Sequence, residues 1–141
     1  MISYSTALRG NPLDDEAAKK VYATAQVNEV ISLDKFAKHI SEHHSKYGKG
    51  DIYAVLIEMV TCMREQLLLG NKIQLGDMGN FYVTLSCKGA KDFEEFSALN
   101  IQKVNVNWER GANFKNLRDD AKFEEVGTRK EQAEFLKEKK A

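Results

Sequence analysis

Three histidines are the side chains in this sequence that come nearest to forming a metal site. His39 and His43 lie four positions apart, so one face of a helix would present both imidazoles, and His44 follows directly. However, Glu42 stands in the wrong place for the H-E-x-x-H pattern of metalloproteases, and no third ligand is evident nearby. The spacing therefore favours a solvated helix end, and we expect neither a metal nor another cofactor.

No pattern of residues in this sequence indicates a catalytic site. The sequence contains no recognisable nucleophile–base pair, phosphate-binding glycine loop or dinucleotide-binding fingerprint. We therefore predict that the protein is not an enzyme. The two cysteines, Cys62 and Cys87, suggest no disulfide framework. We expect Cys62 on an apolar helix face and Cys87 at a strand end, which is consistent with a reducing cytoplasm.

The bulk composition indicates one soluble globular domain. A chain of 141 residues with 43% hydrophobic and 30% charged residues can form one compact core, and a second full core is not expected. No apolar run approaches the roughly 20 residues that cross a bilayer, and residues 1–9 lack the apolar centre of a secretory signal. The 21 basic and 21 acidic residues cancel. Binding to nucleic acid would therefore depend on local patches of positive charge.

Two alternating segments predict a hairpin-like pair of strands near the N-terminus. Gly10-Asn11-Pro12 breaks the chain between them. The first alternation is Ile2, Tyr4, Thr6 and Leu8, and the second is Val21, Ala23, Ala25 and Val27. We assign residues 1–31 to an extended N-terminal extension.

Two helices should follow this extension. Ser32 is well placed as the N-cap of the first helix, whose apolar stripe is Leu33, Phe36, Ala37 and Ile40. Gly48-Lys49-Gly50 then breaks the chain, and Asp51 supports the start of the second helix. The second helix carries an apolar face over about five turns: Ile52, Val55, Leu56, Met59, Val60, Met63 and Leu67. One short neighbouring helix cannot cover this face, so we expect a second protomer to bury the remainder.

A glycine-hinged turn is the most informative local feature. Gly70-Asn71 can end the long helix, and Gly76 and Gly79 permit a tight turn into a strand with alternating side chains, residues 81–86. A second extended segment, residues 101–108, follows a long polar connection, so the two strands predict a β-ribbon or arm. A short helix is expected from about Ala112 to Lys122, and a charge-rich helix follows a capping box formed by Thr128 and Glu131.

This order of elements resembles the bacterial histone-like HU/IHF family. The resemblance covers about residues 32–122 and is carried by Gly70-Asn71-Lys72-Ile73-Gln74-Leu75, by Gly79-x-Phe81, and by Trp108-x-x-Gly111 leading to Phe114, Lys115 and Leu117. The N-terminal extension and the pattern Phe96-x-Ala98-x-x-Ile101 look like the longer HU-like proteins of Bacteroides-type bacteria.

The resemblance implies an α+β fold in an intertwined dimer. Each chain would contribute a helical base, a three-stranded sheet with a protruding β-ribbon arm, and a short C-terminal helix. The implied domains are an N-terminal extension (1–31), an HU-like DNA-binding domain (32–122) and a charged helical tail (123–141). The partners would be duplex DNA and a second copy of the chain, or a paralogue in a heterodimer. The implied function is non-specific DNA binding and bending by a nucleoid-associated architectural protein in the cytoplasm.

Eight residues in the ribbon and its continuation are candidate DNA contacts. Lysine and arginine there can each neutralise a phosphate and release counterions, although the same charges could simply be balanced by nearby carboxylates. Asparagines could add hydrogen bonds to the DNA backbone or to base edges. The candidates are Lys88, Lys91, Lys103, Asn105, Asn107, Arg110, Lys115 and Arg118.

Several residues depart from the family pattern. Thr84 and Ser86 stand where relatives carry arginines, and Ala112 stands where a lysine is common. The arm also lacks the Arg-Asn-Pro tip, so kinking by an inserted proline is not supported. Acidic residues in the arm accompany its lysines. These departures motivate an alternative function, in which the HU-fold dimer is a protein-interaction scaffold with weak or lost DNA binding.

Two aromatic residues in the arm allow a structural and a functional interpretation. Phe93 and Phe96 could insert at a base step, as apolar wedges do in minor-groove binders. They could instead pack the short arm against itself or against the dimer body. We favour packing because phenylalanine is usually buried where it can be.

Overall fold

The computed structural model describes residues 1–43 and 45–140, and it is a mixed α+β structure. Its strands are β1 (Ile2–Arg9), β2 (Lys20–Ala25), β3 (Ile73–Gln74), β4 (Gly79–Cys87), β5 (Ile101–Arg110) and β6 (Phe123–Glu125). Its helices are α1 (Leu33–Glu42), α2 (Lys49–Leu68), α3 (Leu117–Asp120) and α4 (Arg129–Lys140). The chain forms two compact units. One is Met1–Val30 with the chain from Leu117 onward, and the other is Ile31–Asn116.

The first unit is built on a three-stranded sheet in the order β2-β1-β6. β1 and β2 are antiparallel, with Tyr4 opposite Ala25 and Arg9 opposite Lys20, so the predicted strand pair is confirmed. β6 was not predicted: the segment that follows residue 122 begins as a strand parallel to β1, with Phe123 opposite Ile2. A three-residue strand is too short for alternation to reveal it, and only its pairing with β1 defines it.

The charged helix α4 begins where its capping box predicts. The backbone amide of Thr128 donates to Glu131 Oε2 at 2.6 Å, and the amide of Glu131 donates to Thr128 Oγ1 at 3.3 Å. These bonds satisfy the otherwise unpaired amides of a helix start. They also hold the pKa of the Glu131 carboxyl below its ordinary value. The domain bounds inferred from the sequence stay a prediction.

The second unit combines the helix pair with the sheet β3-β4-β5. Ser32 caps α1, since its hydroxyl accepts the amide of Lys35 at 3.2 Å, as predicted. The half-buried residues of α2 form one stripe at spacings of three and four: Ile52, Leu56, Met59, Met63 and Leu67. A second, more exposed stripe adjoins it and contains Tyr53, Ile57, Val60 and Leu68.

Very little of this unit's apolar surface is fully covered. Ala37 is the only fully buried hydrophobic residue in the described part of the chain. Val60 is 59% exposed and Leu68 is 70% exposed. Cys62 and Cys87 are also free and exposed.

The predicted helix over residues 112–122 is wrong as a continuous element. The chain forms one 3-10 turn at Ala112–Phe114 and then the one-turn helix α3. Asn116 lies between them with a φ of 56°. A residue in this left-handed conformation cannot continue a right-handed helix, so the element breaks there.

The glycine hinge closes through a backbone contact between two glycines. A 3-10 turn at Gly76–Met78 leads to Gly79, whose φ is 111°. A Cβ on Gly79 would overlap the carbonyl oxygen of Glu109 and lie 2.5 Å from the amide nitrogen of Gly111. A Cβ on Gly111 would overlap the carbonyl oxygen of Asp77. The sequence needs glycine on both sides of this crossing because neither position has room for a side chain.

An aromatic cluster packs beside the crossing of the two glycine segments. Trp108 Nε1 donates to the carbonyl oxygen of Met78 at 2.9 Å, and the amide of Gly111 donates to that oxygen at 3.3 Å. The Trp108 ring stacks on Phe81 at 6.4 Å between centroids and meets Phe114 edge-to-face at 5.2 Å. The turn, β4 and the end of β5 are therefore held as one piece.

We expect Gly79→Ala and Gly111→Ala each to lower the free energy of unfolding by more than about 2 kcal/mol, because each added Cβ overlaps backbone. Gly50→Ala is the matched control. Nothing lies within 4 Å of a Cβ at Gly50, inside helix α2. This control should be neutral or stabilising by up to about 1 kcal/mol. Urea unfolding followed by circular dichroism measures all three, and equal stabilities would contradict the close-approach argument.

Candidate nucleic-acid interface

Strand pairing sorts the side chains of β4 and β5 onto two faces. The register places Val83 opposite Val106, Thr84 opposite Asn105 and Ser86 opposite Lys103. Because side chains alternate along a strand, one face of the ribbon is apolar and the other is polar. The apolar face contains Phe81, Val83, Leu85, Val104, Val106 and Trp108. The polar face contains Asn80, Tyr82, Thr84, Ser86, Lys103, Asn105, Asn107 and Glu109.

Two amide–hydroxyl pairs form the centre of the polar face. Asn105 Nδ2 donates to Ser86 Oγ at 2.8 Å, and Asn107 Nδ2 donates to Thr84 Oγ1 at 2.8 Å. Each bond joins neighbouring strands and fixes the orientation of an amide that would otherwise rotate. Each amide keeps its second N–H and its carbonyl oxygen for a ligand. The centre of this face is therefore an ordered, uncharged set of donors and acceptors.

Charged groups lie at one end of the polar face. Lys72 Nζ contacts Glu109 Oε2 at 3.0 Å and lies 5.4 Å from the centre of the Tyr82 ring. Asn80 Nδ2 donates to the same carboxylate oxygen at 3.1 Å. The hydrogen bond from Asn80 is the main cause that lowers the pKa of the Glu109 carboxyl, followed by the hydrogen bond and charge of Lys72. Glu109 thus neutralises the lysine nearest to this end of the ribbon.

The eight predicted contacts do not form one cluster. Lys103, Asn105 and Asn107 share the polar face of β5, while Arg110 ends that strand on the other face, opposite Gly79. Lys115 follows the 3-10 turn, and its positive charge contributes to the lowered pKa of Glu109. Lys88 and Lys91 lie in the connection between β4 and β5.

Arg118 differs from the other candidates because it belongs to the first unit. Its guanidinium carbon lies 4.9 Å from the centre of the Phe123 ring, where it makes a cation–π contact. The local role of Arg118 in this structure is therefore to cover β6. Its contact with DNA stays a prediction, as do those of the other seven residues.

Sequence reasoning did not include the partners of these residues. Thr84 and Ser86 were noted only as replacements for arginine, although their hydroxyls orient the two asparagines. The antiparallel register is the signal that connects them, because each asparagine stands diagonally across from its hydroxyl partner on the same face of the ribbon. Lys72 is a further missed residue, and only the fold brings it to Glu109.

The apolar face of the ribbon and helix α2 enclose an open groove of about 640 Å³. Its lining includes Val60, Met63, Leu67, Val83 and Val106, with Arg64 as its charged residue. Val106 is 60% exposed and Val104 is 59% exposed. Exposure of this apolar groove to water is unfavourable. Coverage by another apolar surface would lower the free energy.

The described residues form neither a metal site nor a membrane-spanning helix. Within residues 1–43 and 45–140, no group of three or more His, Cys, Asp or Glu side chains could hold a metal ion. The rings of His39 and His43 lie 5.2 Å apart between centroids, as helical spacing predicts, and His44 lies outside the described residues. No helix in those same ranges has the length and apolar content needed to span a membrane.

The connection between β4 and β5 exposes its aromatic residues. Phe93 is 100% exposed and Phe96 is 44% exposed. Packing of Phe93 against its own arm is therefore wrong, and its packing against the dimer body stays a prediction. Phe96 is only partly covered.

Comparisons with known proteins agree with this architecture. A family model described as an HU domain fused to a wHTH, Ig or glycine-rich motif matches residues 1–125. The chain is also similar to a crystal structure described as that of a candidate bacterial DNA-binding protein from Bacteroides vulgatus ATCC 8482, with a TM-score of 0.63 and 12% identity. This match covers 91% of our chain and 49% of that protein, so the chain spans about half its length. Among curated proteins, no relative matches.

We expect the Glu109 carboxyl to titrate below the ordinary value of 4.5, because its hydrogen bonds favour the charged form. Its contribution to stability should be present above that ordinary pKa and should be lost as the pH falls through the lowered pKa. Asn80→Ala removes the largest cause and should move the pKa back towards 4.5. Asn107→Ala is the control because Asn107 bonds Thr84 instead. NMR titration of the carboxyl carbon measures the shift, and equal effects of both variants would refute the assignment.

Proposed function

The chain belongs to the family of HU domains fused to a wHTH, Ig or glycine-rich motif, and from this premise we propose that it binds and bends duplex DNA non-specifically. Its role would be that of a nucleoid-associated architectural protein in the cytoplasm. The observation that carries the proposal is the β4–β5 ribbon, whose ordered polar face displays Lys103, Asn105 and Asn107. A two-stranded ribbon of this kind fits a groove of DNA, and its polar groups can contact phosphates, sugars and base edges.

The composition of the ribbon supports weak dependence on DNA sequence. Its asparagine amides are oriented by neighbouring hydroxyls, and a side-chain amide can pair with many partners because it both donates and accepts hydrogen bonds. Two exposed cations of β5, Lys103 on the same face and Arg110 at the end of the strand on the other face, would contribute contacts to phosphate. With few cations on the ribbon, we expect modest affinity and a modest dependence on salt.

We further propose that the functional protein is an intertwined homodimer with two ribbon arms. Support comes from the open groove beside α2 and from the exposed second stripe of that helix. A copy related by two-fold symmetry can insert the stripe of each chain into the groove of the other, because the same patch on both subunits is self-complementary. Such a dimer would bury apolar surface that a single chain leaves in water.

A protein-interaction scaffold is the second candidate function. It is favoured by the neutral character of the ribbon, where Glu109 pairs with Lys72 and where threonine and serine replace the arginines of relatives. In this alternative the dimeric fold is retained and DNA binding is weak or lost. DNA titration distinguishes the two functions.

We expect the full chain to shift both an intact duplex and a nicked or kinked duplex at low salt, with affinity falling as salt rises. Fluorescence transfer between the labelled ends of a duplex should report bending. Lys103→Gln should reduce the slope of log affinity against log salt by about 2, because each dimer loses two phosphate contacts worth about 0.9 each. Lys38→Gln, in a helix-surface pair with Glu42, is the control and should leave the slope unchanged. Absence of binding to either DNA at low salt would favour the scaffold.

We expect dilution to remove folded protein rather than to release a stable monomer, because the stripe and groove need a partner. Val60→Asp places a charge in the groove and should prevent dimer formation. Thr61→Asp introduces the same charge at the next, exposed position of α2 and is the control. Analytical ultracentrifugation with circular dichroism checks both variants. A compact, fully folded monomer at nanomolar concentration would contradict the dimer.

A further inference from the structure

The connection between β4 and β5 is a closed loop with ordered ends. The backbone amide of Lys88 donates to the carbonyl oxygen of Asn100 at 2.8 Å, and Asn100 Nδ2 donates to the carbonyl oxygen of Lys88 at 3.2 Å. The amide of Ser97 donates to Asn100 Oδ1 at 3.0 Å, and the amide of Leu99 donates to Ser97 Oγ at 3.3 Å, around a 3-10 turn. The loop therefore has a fixed base and presents its outer residues from a defined platform.

Phe93 lies at the outer turn of this loop. Asp92 Oδ1 accepts the amides of Glu94 at 3.0 Å and Glu95 at 2.9 Å, which fixes the backbone on both sides of the phenylalanine. The Phe93 side chain is nevertheless 100% exposed. No other described residue of the chain covers this large apolar group, and its backbone is held by its own turn. It is therefore available for burial in a partner at little further cost in backbone conformational freedom.

Three carboxylate residues flank Phe93 in the sequence. Asp92, Glu94 and Glu95 all lie within two positions of Phe93, against one lysine, Lys91, at the same separation. None of the three carboxylates forms an ion pair with a described lysine or arginine. We call residues 92–95 the acidic knob. It combines one fully exposed phenyl ring with three carboxylate side chains.

This charge pattern selects among the possible occupants. Insertion between base pairs would bring the three carboxylates towards the phosphates of both strands, where like charges repel. A protein pocket with lysine or arginine at its rim has the opposite preference, because it gains attraction from the carboxylates and cation–π contact from the ring. We propose that the acidic knob docks a partner protein through an apolar pocket, large enough for a phenyl ring, with a rim of lysine or arginine. This docking does not depend on the proposed DNA binding, since the polar ribbon face is a different surface.

Photo-crosslinking tests the occupant directly. The full chain, with p-benzoylphenylalanine in place of Phe93, is irradiated inside bacterial cells. We expect one discrete protein adduct, and we expect it to disappear when Glu94→Lys and Glu95→Lys are added. An adduct with DNA, an adduct with a second copy of the chain, or no adduct would each overturn the proposal.

Capture alone is not sufficient, so the captured protein is purified and titrated with the full chain. Phe93→Ala and the double variant Glu94→Lys, Glu95→Lys should each weaken binding at least ten-fold, and added salt should weaken the wild-type complex. Leu99→Ala is the matched control, because Leu99 is 94% exposed on the same loop but lies outside the acidic knob. It should change the affinity less than two-fold. Equal losses for Phe93→Ala and Leu99→Ala would overturn the assignment to the knob.

Failure of this proposal can be told apart from failure of the proposed function. The same variants are assayed by DNA mobility shift, where Phe93→Ala should retain the affinity of the wild-type chain. A wild-type chain that binds no DNA removes the proposed function and leaves the knob titration valid. Because Phe93 is fully exposed, its replacement should leave the circular dichroism spectrum unchanged.

Discussion

The crossing of two backbone segments at Gly79 and Gly111 is the constraint on which the ribbon unit depends. Here the chain enters β4 beside the point where it leaves β5, with no space for a side chain on either segment. This approach allows the Trp108 indole to reach the Met78 carbonyl and to pack between Phe81 and Phe114. The crossing also sets the strand register, and a shift of one residue would exchange the apolar and polar faces of the whole ribbon.

The register has an electrostatic result. It places Asn105 diagonally across from Ser86 and Asn107 diagonally across from Thr84, so neutral hydrogen bonds order the centre of the ribbon. Positive charge is confined to its margins, at Lys103 and Arg110, while Glu109 neutralises Lys72. A surface of this kind favours contacts whose strength depends on shape and hydrogen bonding as much as on net charge. It also shows how a chain without excess positive charge can carry an ordered polar face.

Local patterns in the sequence were sufficient for elements whose determinants are local. Ser32 and Thr128 cap helices as predicted, and alternation located β1, β2, β4 and β5. Elements defined by distant partners were not predicted, because the information lies in tertiary contact: β6 exists only beside β1, and Lys72 acquires its role only beside Glu109. Asn116 interrupts the expected helix with a left-handed backbone conformation. The spacing of apolar residues in the sequence does not reveal such a conformation. Of the candidate site, sequence reasoning placed Lys103, Asn105 and Asn107 on one strand, but not the hydroxyls that orient them.

The parallel pairing of β1 with β6 has a consequence for the order in which the protein is made. β1 leaves the ribosome well before β6, because β6 follows it by more than a hundred residues in the chain. Until then β1 has only β2 as a neighbour, and its other edge carries unpaired amides and carbonyls. The helix pair and ribbon, which form a contiguous segment, can assemble during this interval. Nascent chains that stall before residue 123 would thus carry an open β1 edge, which a chaperone could protect or a neighbouring chain could pair with.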